Sequence, residues 1–368
     1  MLGTRFRDGL PAHDAVGRGE GDRLVILLNF ADREQQLSRL LDTVRDQTTT
    51  PVVLPSGEAI SVSVRIGAAL FPDDADNGAH LLRPADVALK RTKEHAAAGT
   101  ALYTANMSER LVRRSRLEQA MQQALAETEF VPDFQPQVSL NDGTLLGFEA
   151  LIRWRKADGA VVPPSDFIPL AQETGFVHEF GDAMIRQVVQ QIAQWRARGL
   201  AVPVCGINVP PSHLRSAGFV ERVCAQIDAG GVPAQSVLLE LTETTFVEDF
   251  TRTKVIMQLL ADYGVRFSLD DFGTGFSSLG YLGRLPLHVL KVDRSFVQQV
   301  DADQRQRAIV EAVIHMGQLL GLTVVAEGVE TRSQAGRLTA LGRDAVQGFL
   351  YGRPVPAADA VRWLTPVS

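Results

Sequence analysis

The residues of this chain best placed to do chemistry are Glu149, Asn208, Glu240, Asp270 with Asp271, Lys291, Glu327 and Gln347. Each lies at or near the C-terminal end of an apolar, strand-like run. The runs read LLGFEALIRW, PVCGINV, VLLELTE, VRFSLDDFGTG, HVLKVD, TVVAEGVE and DAVQGFL. If these strands meet at one mouth, the carboxylates among them repel badly unless cations balance them. The pattern therefore predicts a divalent metal site of hard oxygen ligands. In a strand, residues i, i+2 and i+4 share a face, so Glu149, Leu151 and Arg153 stand together. Asp270 and Asp271 are adjacent at a strand end, where alternation relaxes and both can face the mouth. Such a pair can bridge two ions about 4 Å apart, which would stabilise the attacking and leaving oxygens of an in-line phosphoryl displacement. Arg153 would then clamp a phosphate oxygen, and Lys291 would orient or stabilise the hydroxide. Any one of these groups could instead be an ordinary barrel-interior ion pair. Burying all of the acids without metal would raise their pKa values and cost on the order of several kcal/mol.

Helix-patterned segments separate most of these runs. That alternation predicts parallel strands with crossover helices, closing into a barrel whose strand ends share one face. The first strand of the unit is FQPQVSL (134–140), followed by Asn141-Asp142-Gly143. That turn is a hairpin signal, so the first two strands should be antiparallel. A smaller α/β unit precedes the barrel, over 1–105. Its predicted strands are 24–30 and 60–71, and its predicted helices 33–47 and 79–97. A charged helix over 108–129 follows without Gly or Pro. It reads as a helical connector (106–130) overlapping the start of the barrel unit (113–368). The basic run Arg113, Arg114 and Arg116 reads as a solvated helix face.

The chain has 368 residues, 45% hydrophobic, with a formal net charge of −6. That charge argues against nucleic acid as a partner. No apolar run reaches the roughly 20 residues needed to span a bilayer, and no signal-peptide pattern opens the chain. The reading is a cytoplasmic protein without a membrane segment. Cys205 and Cys224 have no zinc or redox spacing and read as buried small hydrophobes, the second on a helix over 212–228. The seven histidines show no metal-binding pairing. The glycine-rich 273–280 reads as a mobile loop over the mouth.

Glu149-Ala150-Leu151 followed by Ile152-Arg153-Trp154 resembles the signature of EAL domains, the cyclic di-GMP phosphodiesterases. ELTE (240–243), DDFGTGFSSL (270–279), LKVDRSFV (290–297), VAEGVET (325–331) and QGFLYGRP (347–354) resemble the same family, in order. The resemblance implies a modified TIM (β/α)8 barrel with an antiparallel first strand. It implies hydrolysis of cyclic di-GMP to linear pGpG with Mg2+ or Mn2+, two ions being expected. Glu149, Asn208, Glu240 and Asp270 match the family's metal ligands, and Asp271 matches the position that helps hold the second ion. Lys291 matches the residue beside the attacking water, and Glu327 and Gln347 match positions acting on the metal or its water shell. Glu243 matches the glutamate that anchors the DFGTG loop. Gln135 and Arg153 match substrate-contacting positions, and Gln347 is grouped with them. Pro210, His213 and Phe276 depart from the family pattern at positions that are not ligands, so tuning rather than loss is expected.

The first unit resembles the C-terminal part of a GGDEF domain, the diguanylate cyclase fold. Its signature position reads Arg18-Gly19-Glu20-Gly21-Asp22-Arg23-Leu24, with Arg23 where the cyclase needs a glutamate. The allosteric R-x-x-D spot reads Pro11-Ala12-His13-Asp14. No cyclase activity is expected, and a structural role positioning a homodimer is. The alternative to an enzyme is a catalytically silent cyclic di-GMP receptor that signals through a protein partner. Silent relatives lose metal ligands or the loop glutamate, and this sequence keeps them all.

Overall fold

The computed structural model of the chain describes residues 14–19, 21–29, 51–53, 56, 58–62, 64–94, 99–103, 105–273, 282–341 and 345–366. The chain divides into two compact units, Met1–Arg116 and Leu117–Ser368. An α-helix, Ala105–Ala126, runs through that boundary where the sequence predicts 108–129. It stops short because Thr128 takes a left-handed φ of 59°.

Eight strands form the barrel of the second unit. They are β1 (Phe130–Ser139), β2 (Leu145–Arg155), β3 (Cys205–Asn208) and β4 (Val237–Thr242), then β5 (Arg266–Phe272), β6 (Val289–Val292), β7 (Thr323–Ala326) and β8 (Ala345–Gln347). Strands β2 to β8 run parallel in chain order. β1 closes the ring by pairing antiparallel with both β2 and β8. The architecture is the modified TIM barrel expected from the sequence, preceded by a smaller α/β unit. The Asn-Asp-Gly turn makes the β1–β2 hairpin, and the Asp142 carboxylate accepts the Thr144 amide at 3.1 Å. An Asx turn of this kind sets strand register locally.

β1 shows why this sequence makes a barrel wall. Phe134 and Val138 point outward into the apolar shell, while Asp133, Gln135, Gln137 and Ser139 alternate with them and are also buried. Period-2 alternation with both faces buried gives one apolar and one polar lining. Phe134 and Phe148 pack on Trp195 of the helix Val177–Ala197, with centroids 4.9 and 5.7 Å apart. A second cluster joins Phe130, Trp154, Phe167 and Phe180 with Met121. Each such buried side chain contributes roughly 1.5–3 kcal/mol. Helix ends are set by side chains: Asp249 and Asp303 cap Phe250–Tyr263 and Gln304–Leu319, and Thr331 with Gln334 makes a capping box. The single helix predicted over 212–228 is two, Pro211–Leu214 and Phe219–Gly230. Gly218, at φ 71°, breaks it in a conformation that costs glycine nothing. Cys205 is buried as predicted, but Cys224 is only half-buried.

Among the described residues, the strands of the first unit form short pairs. Ala15–Arg18 pairs antiparallel with Leu24–Leu27, the two strands that flank the degenerate signature. The run predicted as one strand over 60–71 is divided: Ala59–Ile60 pairs with Val52–Val53, and Ile66–Ala68 lies parallel to Thr100–Leu102. The two pieces answer to different partners, which an alternating pattern alone does not reveal. A helix spans Gly78–Glu94. The helix predicted over 33–47 lies outside the described residues.

Candidate functional site

Every predicted ligand strand delivers its polar residue to the barrel mouth. Register places Glu149 opposite Gly206, Asn208 opposite Glu240, and Thr242 opposite Asp270. Glu149, Glu240, Asp270 and Lys291 are all buried. Gly206 makes room for this: a Cβ there would stand 2.1 Å from Glu240 Oε1. The CGIN run thus needs glycine two residues before Asn208 so that the neighbouring strand's carboxylate can enter.

Lys291 is the centre of the cluster. Its Nζ lies 2.6 Å from Glu327, 2.7 Å from Glu240, 3.2 Å from Asp270 and 3.3 Å from Glu149. Burial alone would lower its pKa, but Asp270, Glu149, Glu240 and Glu327 override that and hold the ammonium well above its ordinary value. One ammonium does not balance four carboxylates, and the acids respond. Burial pushes Glu327 up to about 8, against Lys291 and with help from Asp270 and Glu149. Burial also raises Glu240 well above its usual range, Lys291 opposing and Glu149 and Asp270 adding. Glu149 goes the other way. Burial would raise it, but Lys291 and hydrogen bonds from Gln347 and Asn208 hold it below the ordinary carboxylate value.

Asp270 and Asp271 both reach the mouth because the strand is irregular there. The β5–β6 register shifts between Leu269 and Phe272, and Asp271 takes a positive φ of 54°. A non-glycine residue in that region carries strain of about 1–3 kcal/mol. Asp271 is also raised, by burial first, then by Asp270 and Asp293. The Glu243 carboxylate accepts the Gly273 amide at 3.1 Å, at the start of the glycine-rich segment. Residues 274–281, which include Phe276 and most of the predicted mobile loop, lie outside the described residues.

Two acidic triads arise from this geometry: Glu149, Glu240 and Asp270, and Asp270, Asp271 and Glu327. Within each, one oxygen per residue lies within 4.8 Å of the others. They share Asp270. Glu240 Oε1 is buried with no hydrogen-bond partner, which costs free energy unless something accepts its lone pairs. The donor set of carboxylate oxygens with one amide suits hard divalent ions such as Mg2+ or Mn2+.

Gln135, Gln347 and Arg153 line the same mouth. Gln347 donates to Glu149 at 2.5 Å and to Gln135 at 3.0 Å, and Gln135 donates to the Gly352 carbonyl at 3.0 Å. The Arg153 carboxylate partner is Asp133, 3.4 Å away, and not Glu149, with which it shares a strand face. Glu149 is already engaged by Lys291, Asn208 and Gln347, and Asp133 stands across the hairpin. Asp133 is held more tightly by Arg155, at 2.7 Å. His213 is buried against Asp182 at 2.9 Å, away from the acids, so this departure from the family pattern adds no ligand. Asp133, Gln137 and Gly206 were not singled out from the sequence. The alternation of DFQPQVS and the glycine in CGIN were their signals.

The chain belongs to the EAL domain family, whose family model matches residues 118–354. Residues 1–98 match the diguanylate cyclase GGDEF domain. Among its relatives is the bifunctional diguanylate cyclase/cyclic di-GMP phosphodiesterase MucR of Pseudomonas aeruginosa. It is 34% identical over 356 residues, 97% of this chain and 52% of that protein. The cyclic di-GMP phosphodiesterase NbdA of the same organism is 33% identical over 367 residues, 99% of this chain and 46% of that protein. The chain thus spans about half the length of the curated relatives it matches. In structure it is similar to the MucR phosphodiesterase in complex with c-di-GMP, with a TM-score of 0.64 and 38% identity over 67% of this chain and 99% of that one. The EAL enzyme Bd1971 in its cAMP-bound form gives a TM-score of 0.64 at 28% identity, covering 78% of this chain and 75% of that one. Among the described residues, no helix is long and apolar enough to cross a membrane.

Proposed function

We propose that the second unit hydrolyses one phosphodiester bond of cyclic di-GMP to give linear pGpG, with Mg2+ or Mn2+ as cofactor. The observation that carries this reading is the pair of acidic triads sharing Asp270 around Lys291, the first buried and the second half-buried. Relatives named as cyclic di-GMP phosphodiesterases support the substrate. Glu149, Asn208, Glu240 and Asp270 hold the first ion, and Asp270, Asp271 and Glu327 the second. When bound, the ions acidify water and neutralise charge on the phosphodiester oxygens.

The chain's own groups do the rest. Lys291 keeps a fixed positive charge beside the nucleophile and stabilises negative charge in the transition state. Glu327, which burial pushes up to about 8 in the ion-free site, would give up its proton on holding the second ion and act on the water beside it. Arg153 and Gln135 bind the substrate's phosphates, with Gln347 fixing Gln135 from behind. Glu243 holds the Gly273 amide at the end of β5. The first unit, with Arg23 at the signature acid, makes no cyclic di-GMP and helps to position a homodimer. The test is to incubate the purified chain with cyclic di-GMP and Mg2+ or Mn2+ and resolve the products chromatographically. Accumulation of pGpG is expected. Tight binding without pGpG would replace the enzyme with a receptor.

A further inference from the structure

We infer that Gln137, on the inner face of β1, is a positioning residue that fixes the orientation of the Gln347 amide and through it the Glu149 carboxylate. The inference rests on the proposed role of Glu149 as a metal ligand. Gln137 is buried and lies opposite Gln347 across the β1–β8 pairing. Its side-chain amide donates to Gln347 Oε1 at 2.9 Å.

The chemistry of the chain allows one arrangement. Gln347 faces a carboxylate oxygen of Glu149 at 2.5 Å, and only an NH2 can stand there. Its second hydrogen goes to Gln135 Oε1 at 3.0 Å. Both donors are spent, so Gln347 Oε1 points at Gln137 and requires a donor from it. Turning the Gln347 amide over would set oxygen against oxygen at Glu149, at Gln135, or at both. The links therefore run in one direction: Gln137 to Gln347, Gln347 to Gln135 and Glu149, Gln135 to the Gly352 carbonyl. Glu149 is thereby held at one oxygen by Gln347 and at the other by Asn208, 2.8 Å away. Gln137, Gln347, Gln135 and Glu149 are buried, and among buried partners one reversed polarity upsets every link.

Gln137→Met keeps the volume and removes the donor. Gln137→Glu keeps the shape and, in mildly alkaline buffer, turns the donor into an acceptor. Mn2+ binding by calorimetry is the readout, with thermal melting as the control for folding. A ligand whose outer partner is lost typically binds metal about 10-fold or more weaker. Gln137→Met should show about that loss, and Gln137→Glu a larger one, although its added negative charge would by itself favour a cation. A mere packing role predicts the reverse order, with the isosteric Gln137→Glu close to wild type. Wild-type affinity in Gln137→Met, or Gln137→Glu binding as well as or better than Gln137→Met, overturns the inference. If one variant melts below the assay temperature, the other decides. Glu149→Gln separates the two levels. If it binds Mn2+ like wild type, the ligand reading fails and the inference with it. If it loses Mn2+ while both Gln137 variants keep it, only the inference fails.

Discussion

Arg23 stands 2.9 Å from Asp86 in the first unit, with side chains 39% and 51% exposed, and Lys291 stands 2.7 Å from Glu240 in the second, at 1% and 0%. The two contacts have nearly the same length and differ in what surrounds them. Around Arg23, water screens the charges, and such a pair is worth about 0–1 kcal/mol. Around Lys291, water is excluded, three further carboxylates crowd in, and removing one partner leaves a charge uncompensated. The proposed chemistry falls where charge is buried in excess, since an excess of one sign asks for a ligand. The signature turn of the first unit asks for nothing: a guanidinium has replaced the acid and found a surface partner.

The hardest test of this contrast is to strip the excess of its counterions. EDTA should abolish hydrolysis of cyclic di-GMP, and added Mg2+ or Mn2+ should restore it. Glu149→Ala should lose nearly all activity in the presence of either ion. Full turnover in chelated buffer would mean that the crowded acids serve only the fold.

A smaller effect separates chemistry from binding. Lys291→Ala should lower kcat by roughly 10²- to 10³-fold, as removal of one preorganised donor does. Affinity for cyclic di-GMP, measured with Ca2+ to block turnover, should change far less. Arg153→Ala should instead weaken binding. Equal losses of affinity in the two variants, with kcat at saturation intact in Lys291→Ala, would make the lysine a substrate anchor.

Protons give a third effect. Glu327 lies near 8 in the fold against an ordinary carboxylate value of 4.5, so folding takes up a proton there. Its contribution to stability is fully present below about pH 4.5 and is lost as pH rises through about 8. In chelated buffer the barrel's Tm should fall across that window, and Mn2+ should reverse the fall. At neutral pH, Mn2+ binding should release protons, seen as a dependence of the calorimetric heat on buffer ionisation enthalpy. A Tm that rises through the window would contradict the direction assigned to Glu327.

The smallest effect belongs to the first unit. Arg23→Ala should change stability by about 1 kcal/mol or less. Neither it nor the wild type should make cyclic di-GMP from GTP. Deleting residues 1–105 should leave the barrel folded on its own core. Aggregation of the shortened chain would put the boundary elsewhere.

The barrel could be read from the sequence because its signals are local. The apolar runs, the helical spacers and the Asn141-Asp142-Gly143 turn each report on their own neighbourhood. The acids, Lys291 and Gln347 stood out because polar residues at the ends of apolar strands are costly without a purpose. What escaped was cross-strand. Gly206 matters only because Glu240 lies beside it, and Asp133 takes Arg153 only because the hairpin register brings them together. The bulge that turns both Asp270 and Asp271 to one side depends on how β5 meets β6. The first unit was less legible because its described strands are two to four residues long, too short for a period to declare itself.

The antiparallel first strand also has a consequence for how the molecule is made. β1 needs β8 as its second neighbour, and the residues joined there, Gln137 and Gln347, are 210 positions apart. The chain must therefore lay down seven strands before the ring can shut, and contacts of such separation form slowly. Until then β1 presents an open edge, the kind that invites another chain to pair with it. The step that shuts the ring is also the one that brings Gln347 against Glu149. Barrel closure and completion of the mouth are thus a single folding event, and a nascent or partly opened chain has neither.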